Sequence, residues 1–374
     1  MKPTIGVFGN QTISTGHSIA ADLTLAGYKV NFFDLPRFGE MTAPIQSLGG
    51  FKVTGNTKGL VSGKTGFAKP QMITTDPEKA LQDVDVLFID VPSFDYEARF
   101  RSIAPFLKDG MIVNFNSYGY WASLRVAGIL KELDKKNVIL TECPAPIYVS
   151  MSREGNIDYS QMRMGIPLSV FPSKKSTEAF EVLKGIYPTF EPAKNVLQTN
   201  FENLNMLGHA GIALLNMAYF DRAKEHGDLL VHFYQTGITE HTGLLTEAQD
   251  QERIAMCDAY GVPYTSFREF IQRYYGGTGT TAAEVQRSSK FIQTRPPFPP
   301  DMGNLWLSID LPLATVPFVL LGDLAGVSLP IHKGIINIFG ALLKTDFWKT
   351  GLTLDRLGLA GMSAKEVIRY VTEG

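Results

Sequence analysis

The chain has 374 residues, of which 44% are hydrophobic and 19% are charged, and its formal net charge is −2. This length favours two domains, and the composition is that of an ordinary globular protein. Basic residues are neither in excess nor clustered, which argues against nucleic acid as a partner. The two cysteines, Cys143 and Cys257, lie far apart in sequence, which argues against a disulfide framework and against a metal cluster.

The apolar segments predict a soluble protein in a reducing compartment, the cytoplasm. The start, MKPTIGVFGN, has one lysine followed by a buried-strand pattern, unlike a secretory signal. The most apolar late run, LPLATVPFVLLGDLAGV, meets Asp323 too early to span a bilayer. We therefore expect no membrane partner, and a metal site is not expected either.

The first half of the chain alternates short apolar runs with helical patterns. Continuously apolar strands are typical of a parallel sheet that is covered by helices on both faces. The predicted strands cover residues 4–9, 29–34, 86–91, 111–116 and 137–143. A helix is predicted over 16–27, and the Gly-rich part between 39 and 72 is expected to hold short strands or hairpins.

The second half is mostly helical. A helix over 176–188 and a connector near 191–200 precede it. The predicted helices cover residues 201–225, 246–260, 265–273, 312–325, 330–343 and 363–373. The fold class is therefore α/β, with a Rossmann-type doubly wound domain over residues 1–196 and an all-helical domain over 197–374.

The stretch GVFGNQTISTGHSIAADLTLAGYKVNFFD, residues 6–34, has the outline of a dinucleotide-binding strand, loop, helix and strand. A dinucleotide loop needs glycines for a tight turn and for close approach to pyrophosphate, and a helix N-terminus directed at the phosphates. The spacing from Gly9 to Gly16 is too long for GxGxxG. The motif alone also fits a doubly wound domain whose loop binds nothing or binds another ligand.

The predicted cofactor contacts are Gly9, Asn10, Thr15, Gly16, Asp34, Arg37 and Pro92. Polar residues of the loop can cap the helix and donate hydrogen bonds to phosphate. An acid at the end of strand two, Asp34, would accept hydrogen bonds from the ribose hydroxyls and repel a 2′-phosphate, which favours NAD over NADP. Arg37 could bind a 2′-phosphate, so NADP stays possible as the cofactor. Asp34 could also be an ordinary turn residue at the end of a strand.

Several segments, in order, resemble the opine dehydrogenases, the octopine/nopaline dehydrogenase family. They include ITTDPEKALQDVDVLFIDVPSFDYEARFRSIAPFLKDGMIVNFN, NVLQTNFENLNMLGHAGIALLN and FYQTGITEHTGLLTEAQDQERIAMCDAYGV, and the likeness covers about residues 4–360. The resemblance implies a Rossmann domain followed by a helical domain, and reductive joining of an amino acid to a 2-oxo acid with NAD(P)H. It also implies a small-molecule partner pair, and we expect a homodimer.

The catalytic candidates are His209 and Asp310. Histidine is the natural proton carrier near neutral pH, and a neighbouring acid fixes its tautomer. His209, with Asn205 and Asn216, matches the family's segment that leads to His-Pro, although Ala210 replaces the proline. The residues alone leave open a packed helix histidine, and an N-cap role for the aspartate in SIDLP.

Four further residues are substrate candidates: Glu142, Asn205, Tyr234 and Trp306. Glu142 ends a predicted strand on the ligand-binding edge, or is a solvated strand-end acid. Tyr234 lies in FYQTG, where packing is the other interpretation. The family's arginine before the aspartate is missing here, because Leu305 and Trp306 stand in that region. An aromatic residue there indicates a bulkier or less charged amino donor, or packing.

Three functions stay open at this point. The first is an NAD(P)-dependent opine dehydrogenase-like oxidoreductase. The second is a ketone or 2-hydroxyacid reductase of the wider two-domain Rossmann group, whose members typically use a lysine on the central helix; residues 201–220 contain none. The third is a non-enzymatic scaffold that retained the fold and a nucleotide.

Overall fold

The computed structural model describes residues 2–9 and 15–374 and separates into two compact units. The first unit holds Met1–Thr199 and Arg369–Gly374, and the second holds Asn200–Ile368. The predicted fold class is confirmed, since the first unit is a doubly wound α/β structure and the second is helical. The last six residues differ from the expected division: they belong to the first unit, where Tyr370 packs edge-on against Phe171 with ring centroids 5.4 Å apart.

Twelve strands form in the described part of the chain. They are β1 (Ile5–Phe8), β2 (Val30–Phe33), β3 (Phe51–Thr54), β4 (Gly66–Ala68), β5 (Met72–Thr74), β6 (Val86–Ile89), β7 (Ile112–Phe115), β8 (Ile139–Glu142), β9 (Tyr148–Arg153), β10 (Asn156–Met162), β11 (Ile166–Phe171) and β12 (Phe190–Pro192). The five predicted strands correspond to β1, β2, β6, β7 and β8. Their side chains are almost all buried, which explains why the sequence reads as continuous apolar runs.

The larger sheet has the order β12-β11-β8-β7-β6-β1-β2-β5. The six strands from β8 to β5 are mutually parallel, whereas β11 runs antiparallel to β8. The strand order reverses between β1 and β6, which is the switch point where doubly wound folds bind ligands beyond the carboxyl ends of the strands. A second sheet has the order β4-β3-β10-β9.

Within residues 2–9 and 15–190, six helices accompany the sheets of the first unit. They are α1 (Thr15–Leu25), α2 (Gly39–Leu48), α3 (Pro77–Leu81), α4 (Tyr96–Ile103), α5 (Ala122–Glu132) and α6 (Ser176–Ile186). The predicted short strands between residues 39 and 72 are present, since β3 and β4 pair as an antiparallel hairpin, and the helix α2 was not predicted there. Gly39 and Pro44 lie within this helix, and both residue types are poor helix formers, so the pattern concealed it.

The second sheet packs on α1 through buried polar side chains. His17 Nδ1 lies 2.6 Å from Ser152 Oγ, and its ring is flanked by Phe32 and Phe51 with centroids 5.2 and 5.3 Å away. Burial lowers the pKa of His17 to about 3. His17 is therefore a neutral core residue that joins α1 to the small sheet.

The remaining helices are short, with one long exception. They are α7 (Val196–Phe201), α8 (Asn205–Gly208), α9 (Ala210–Leu215), α10 (Met217–Glu225), α11 (Phe233–Gly237), α12 (Glu240–Tyr260), α13 (Phe267–Tyr275), α14 (Ala282–Ser288), α15 (Lys290–Gln293), α16 (Met302–Asp310), α17 (Val316–Ala325), α18 (Pro330–Leu342), α19 (Phe347–Thr350) and α20 (Ala364–Glu373). The single helix predicted over 201–225 is wrong. Asparagine side chains interrupt it: Asn203 accepts a hydrogen bond from Asn205 N–H, and Asn216 donates to two backbone carbonyls.

The helices α16 and α17 are joined by a π-helical turn, Leu311–Thr315, into one apolar helix. Its most apolar window is long enough to cross a membrane, yet 72% of that window is buried in the structure. Such burial is typical of a core helix in a soluble protein. The turn contains Pro312, and Pro317 follows it, and neither residue can donate the N–H of a regular α-helical ladder.

Candidate active site

His209 lies at the junction of α8 and α9 in the helical unit. Its backbone stays right-handed, with φ −93° and ψ −39°, so the two short helices meet without a sharp break. The His209 N–H donates to Asn205 O at 3.0 Å, and the His209 carbonyl accepts from Ala213 N–H at 2.9 Å. These hydrogen bonds hold the backbone on both sides of the histidine, and so they determine the position from which its side chain projects.

Asp310 is the last residue of α16 and directly precedes the π-helical turn. The side chain makes no N-cap hydrogen bond, which corrects the N-cap alternative raised for this residue. The carboxylate is instead 3% exposed and points to another segment of the same unit. The π-helical turn begins directly after Asp310, and such turns within helices occur frequently at functional sites.

The His209 and Asp310 side chains are joined by a hydrogen bond. The Nδ1 to Oδ2 distance is 2.8 Å, and the imidazole is 12% exposed. An ionised carboxylate only accepts hydrogen bonds, so Nδ1 carries the proton and Nε2 is the nitrogen that can take up or release one. Tyr234 Oη lies 3.3 Å from Nε2. The arrangement therefore places a proton-exchanging nitrogen between an orienting acid and a hydroxyl group.

Aromatic rings surround this imidazole. The Trp306 ring stacks on His209 with centroids 4.6 Å apart and an interplanar angle of 21°. Phe233 and Phe298 each pack edge-on against Trp306, with centroids 5.1 Å away. Tyr234 packs against Phe233 at 5.1 Å. This aromatic cluster restricts rotation of the imidazole, and it gives the surroundings of Nε2 an apolar character.

The other predicted residues of this unit occupy different positions. Asn205 begins α8 and is half-buried, four residues before His209, so the two side chains lie on the same helical face. Leu305, which with Trp306 stands in the region where the resemblance implies an arginine, is 56% exposed. The structure thus brings His209, Asp310 and Tyr234 together with Trp306.

In the first unit, the predicted cofactor residues lie at the carboxyl edge of the large sheet. Gly9 follows β1 with φ +117°, and a Cβ there would lie 2.0 Å from the carbonyl oxygen of Asp90. Only glycine fits this position. Pro92 is half-buried and directly precedes a 3₁₀ turn, Ser93–Asp95. Asn10 lies outside the described residues.

Asp90, at the end of β6, was missed by the sequence reasoning. Its Oδ2 accepts from Gly16 N–H at 2.7 Å, and its Oδ1 accepts from Thr15 Oγ1 at 3.2 Å. The carboxylate therefore lies at the N-terminus of α1, where the helix dipole favours negative charge. The usable signal was the pattern VLFID, an acid directly after an apolar strand, which is the same pattern that singled out Asp34.

Asp34 is fully buried and pairs with a residue that the sequence reasoning also missed. Arg99 Nη1 lies 3.2 Å from Asp34 Oδ1, and Arg99 Nε lies 2.8 Å from Asp95 Oδ2. The guanidinium lies over the Phe38 ring at 3.8 Å. Arg37 is mostly exposed and reaches Asp95 at 3.7 Å. Two arginines and two aspartates therefore balance each other at the end of β2.

Glu142 is the last residue of β8, and its carboxyl group lies against the start of α5. Its Oε2 accepts from Ser123 N–H at 2.7 Å, and Thr199 Oγ1 lies 3.4 Å from its Oε1. It is fully buried and therefore is not a solvated strand-end acid. The side chain stabilises the N-terminus of α5 as Asp90 does that of α1.

The carboxyl edge fits a dinucleotide in its topology. The ends of β1, β2 and β6 meet at the switch point, α1 begins there, and a glycine follows β1. The charges at this edge fit a dinucleotide less well, because the Asp90 carboxylate already accepts the Gly16 N–H that a phosphate would use. Within residues 2–9 and 15–374, no group of three or more histidine, cysteine or acidic side chains could hold a metal ion.

A family model matches much of the helical unit. Residues 192–343 match the model described as NAD/NADP octopine/nopaline dehydrogenase, alpha-helical domain. Among characterised proteins, the chain is similar to the opine dehydrogenase of Arthrobacter sp. (strain 1C). The identity is 27% over 355 residues, which cover 93% of this chain and 94% of that relative.

Two solved structures are similar over nearly the whole chain. An octopine dehydrogenase with NADH and L-arginine gives a TM-score of 0.75 at 19% identity, covering 98% of both chains. A yersinopine dehydrogenase with bound NADP⁺ gives a TM-score of 0.68 at 16% identity, covering all of this chain and 98% of the other. At these identities the likeness concerns the fold.

Proposed function

This chain belongs to the octopine/nopaline dehydrogenase family, and on that premise we propose that it is an NAD(P)-dependent opine dehydrogenase. Its reaction would be the reductive condensation of an amino acid with a 2-oxo acid. The amino nitrogen adds to the carbonyl carbon, water leaves, and the resulting C=N bond accepts a hydride at carbon and a proton at nitrogen. The product is a secondary amine that carries two carboxylates.

One observation supports this proposal most strongly: the His209 and Asp310 side chains lie 2.8 Å apart in segments that both resemble the family. Proton transfer to nitrogen needs a group that holds a proton near neutral pH, and imidazole is that group. Asp310 would hold Nδ1–H and stabilise the imidazolium, which leaves Nε2 to serve the reacting nitrogen. The bound nicotinamide would supply the hydride.

The residues around Nε2 would position the imidazole and contact the substrate. Tyr234, 3.3 Å from Nε2, would hold the imidazole in place and release it when substrate enters. Trp306 would keep the ring plane fixed by stacking. Asn205, on the same helical face as His209, is the proposed polar substrate contact. We propose an amino donor with a bulky or uncharged side chain, because aromatic rings surround His209.

For the cofactor we propose NADH, with NADPH as the less favoured alternative. Asp34 follows β2 and Asp95 ends the 3₁₀ turn after β6, and both would repel a 2′-phosphate, although Arg99 and Arg37 offset them. Asp34 has no exposed surface, so contact with ribose hydroxyls requires Arg99 to shift. This balance predicts a modest preference for NADH. An octopine dehydrogenase has been solved with NADH and a yersinopine dehydrogenase with NADP⁺.

A direct test uses the unmodified protein with NADH, pyruvate or 2-oxoglutarate, and pooled amino acids. Loss of NADH absorbance that requires both the oxo acid and an amino acid supports the proposal. Loss with the oxo acid alone would identify a ketone or 2-hydroxyacid reductase instead. Absence of NADH and NADPH binding in a fluorescence titration would support the non-enzymatic alternative.

We also propose a cytoplasmic homodimer as the working form. Cys143 and Cys257 are buried free thiols, which suits a reducing compartment. The homodimer rests on the sequence expectation. Light scattering at the assay concentration would decide it, since a monomeric mass would overturn it.

A further inference from the structure

Three acids stand at the carboxyl ends of strands in the large sheet, and the chain uses each of them internally. Asp34 pairs with Arg99, and Glu142 accepts from the first turn of α5. Asp90 accepts from Gly16 N–H and from the Thr15 hydroxyl. Of these three positions, the one at the head of α1 is where a Rossmann fold places the pyrophosphate of a dinucleotide.

The Asp90 carboxylate is held firmly in this position. The side chain is 7% exposed, and the Asp90 backbone is fixed because its N–H donates to Phe8 O at 2.8 Å. Thr15 is itself held by Asn116, whose Nδ2 donates to the Thr15 hydroxyl at 2.8 Å. The network therefore joins β6, the head of α1 and the end of β7.

The close packing leaves no room between Asp90 and the helix. A Cβ added to Gly16 would lie 2.9 Å from Asp90 Oδ2 and from Asp90 Cβ. The glycine at the start of α1 is thus required for the approach of this carboxylate. A phosphate oxygen that is to bind Gly16 N–H must displace the carboxylate or lie beside it, where the two negative charges repel each other.

We propose that Asp90 is an internal competitor of the cofactor pyrophosphate and lowers the affinity of this chain for a dinucleotide. This inference rests on the proposed function, because it assumes that a nicotinamide dinucleotide binds at the switch point. Asp90 is a specificity-determining residue in this account. It discriminates against ligands by the negative charge that they bring to the head of α1.

The test is Asp90→Asn, which keeps a carbonyl oxygen for the Gly16 N–H and removes the charge. We expect NADH to bind the variant at least about tenfold tighter, equivalent to about 1.4 kcal/mol. Asp85→Asn is the matched control, since Asp85 is an exposed acid at the opposite end of β6 and should leave the affinity unchanged. Titration calorimetry measures both, and thermal unfolding verifies that each variant is folded.

Adenosine separates charge from shape, because it carries no phosphate. It should bind the wild type and Asp90→Asn equally. If Asp90→Asn does not fold, Asp90→Ser removes the charge and keeps a hydroxyl that can accept from the helix. A folded variant that binds NADH as weakly as the wild type, or an equal gain for adenosine, overturns the inference while the proposed function stands. Failure of the wild type and the variants alike to bind NADH or NADPH overturns both.

Discussion

His209 and Asp310 are 101 residues apart in sequence, and their side chains meet at 2.8 Å. The histidine stands between two short helices, whereas the aspartate precedes a π-helical turn in a long apolar one. Neither of the two local segments predicts that these side chains are in contact. Their pairing in an aromatic surrounding is the strongest physical support for proton transfer in this unit, and it yields the first two predictions.

Replacing His209 by alanine should lower turnover by about 10²–10⁴, the usual contribution of general acid–base catalysis. NADH affinity should change little, because the histidine belongs to the helical unit. The measurement is steady-state kinetics together with a fluorescence titration. The control is His226→Ala, an exposed histidine at the end of α10, which should retain full turnover. Equal turnover in His209→Ala and the wild type would rule out the proton-transfer role.

Asp310→Asn should preserve packing but remove the charge that stabilises the imidazolium and fixes its tautomer. We expect turnover to fall by about 10²-fold or more, with NADH affinity unchanged. The pH dependence of turnover should also change, because the imidazole loses its neighbouring carboxylate. If turnover falls only through poor folding, circular dichroism will reveal it, and an unaltered pH profile would contradict the positioning role.

The charge balance at the end of β2 predicts the effect of Asp34→Asn on cofactor choice. The amide can still accept a hydrogen bond from Arg99, and the two arginines of this cluster, Arg99 and Arg37, then face only one carboxylate, that of Asp95. NADPH should therefore gain affinity relative to NADH, by about tenfold for each 1.4 kcal/mol of altered charge interaction. Asp76→Asn, at the exposed N-cap of α3, is the control for the loss of one acid. An unchanged NADH to NADPH ratio would remove Asp34 from cofactor selection.

His17 predicts acid sensitivity of the first unit. Its folded pKa of about 3 lies below the ordinary value of 6.5, so between these values the unfolded state binds the extra proton. The contribution of His17 to the free energy of unfolding is therefore full above pH 6.5. Below that pH it decreases by about 1.4 kcal/mol per pH unit until the folded pKa of about 3 is reached. Urea unfolding at pH 7 and pH 5 should show a smaller loss in His17→Gln. Parallel losses in both proteins would contradict this.

The sequence predicted most of the architecture because its signals are local. The apolar runs of β1, β2, β6, β7 and β8 correspond to strands buried in the sheet, and their alternation with helices predicts a parallel sheet. The errors also have local causes. Pro44 concealed α2, and Asn203 and Asn216 divide a stretch that reads as one helix.

The candidate site was less predictable because its contacts are not local. The resemblance singled out His209 and Asp310, but the Trp306 stacking depends on tertiary packing. Arg99 went unnoticed for the same reason, because it is an ordinary charged residue in sequence. Asp90 did follow an apolar run, as Asp34 does, but only the placement of α1 reveals what its carboxylate binds.

The most direct measurement of the central claim is mass spectrometry of the product. The protein is incubated with NADH deuterated on either face of C4, pyruvate or 2-oxoglutarate, and pooled amino acids. The account predicts a secondary amine whose mass is that of the amino acid and oxo acid together less one oxygen atom, with one deuterium on the former carbonyl carbon. It should be absent with His209→Ala. A 2-hydroxy acid as the only deuterated product, or no deuterated product from either cofactor face, would contradict the account.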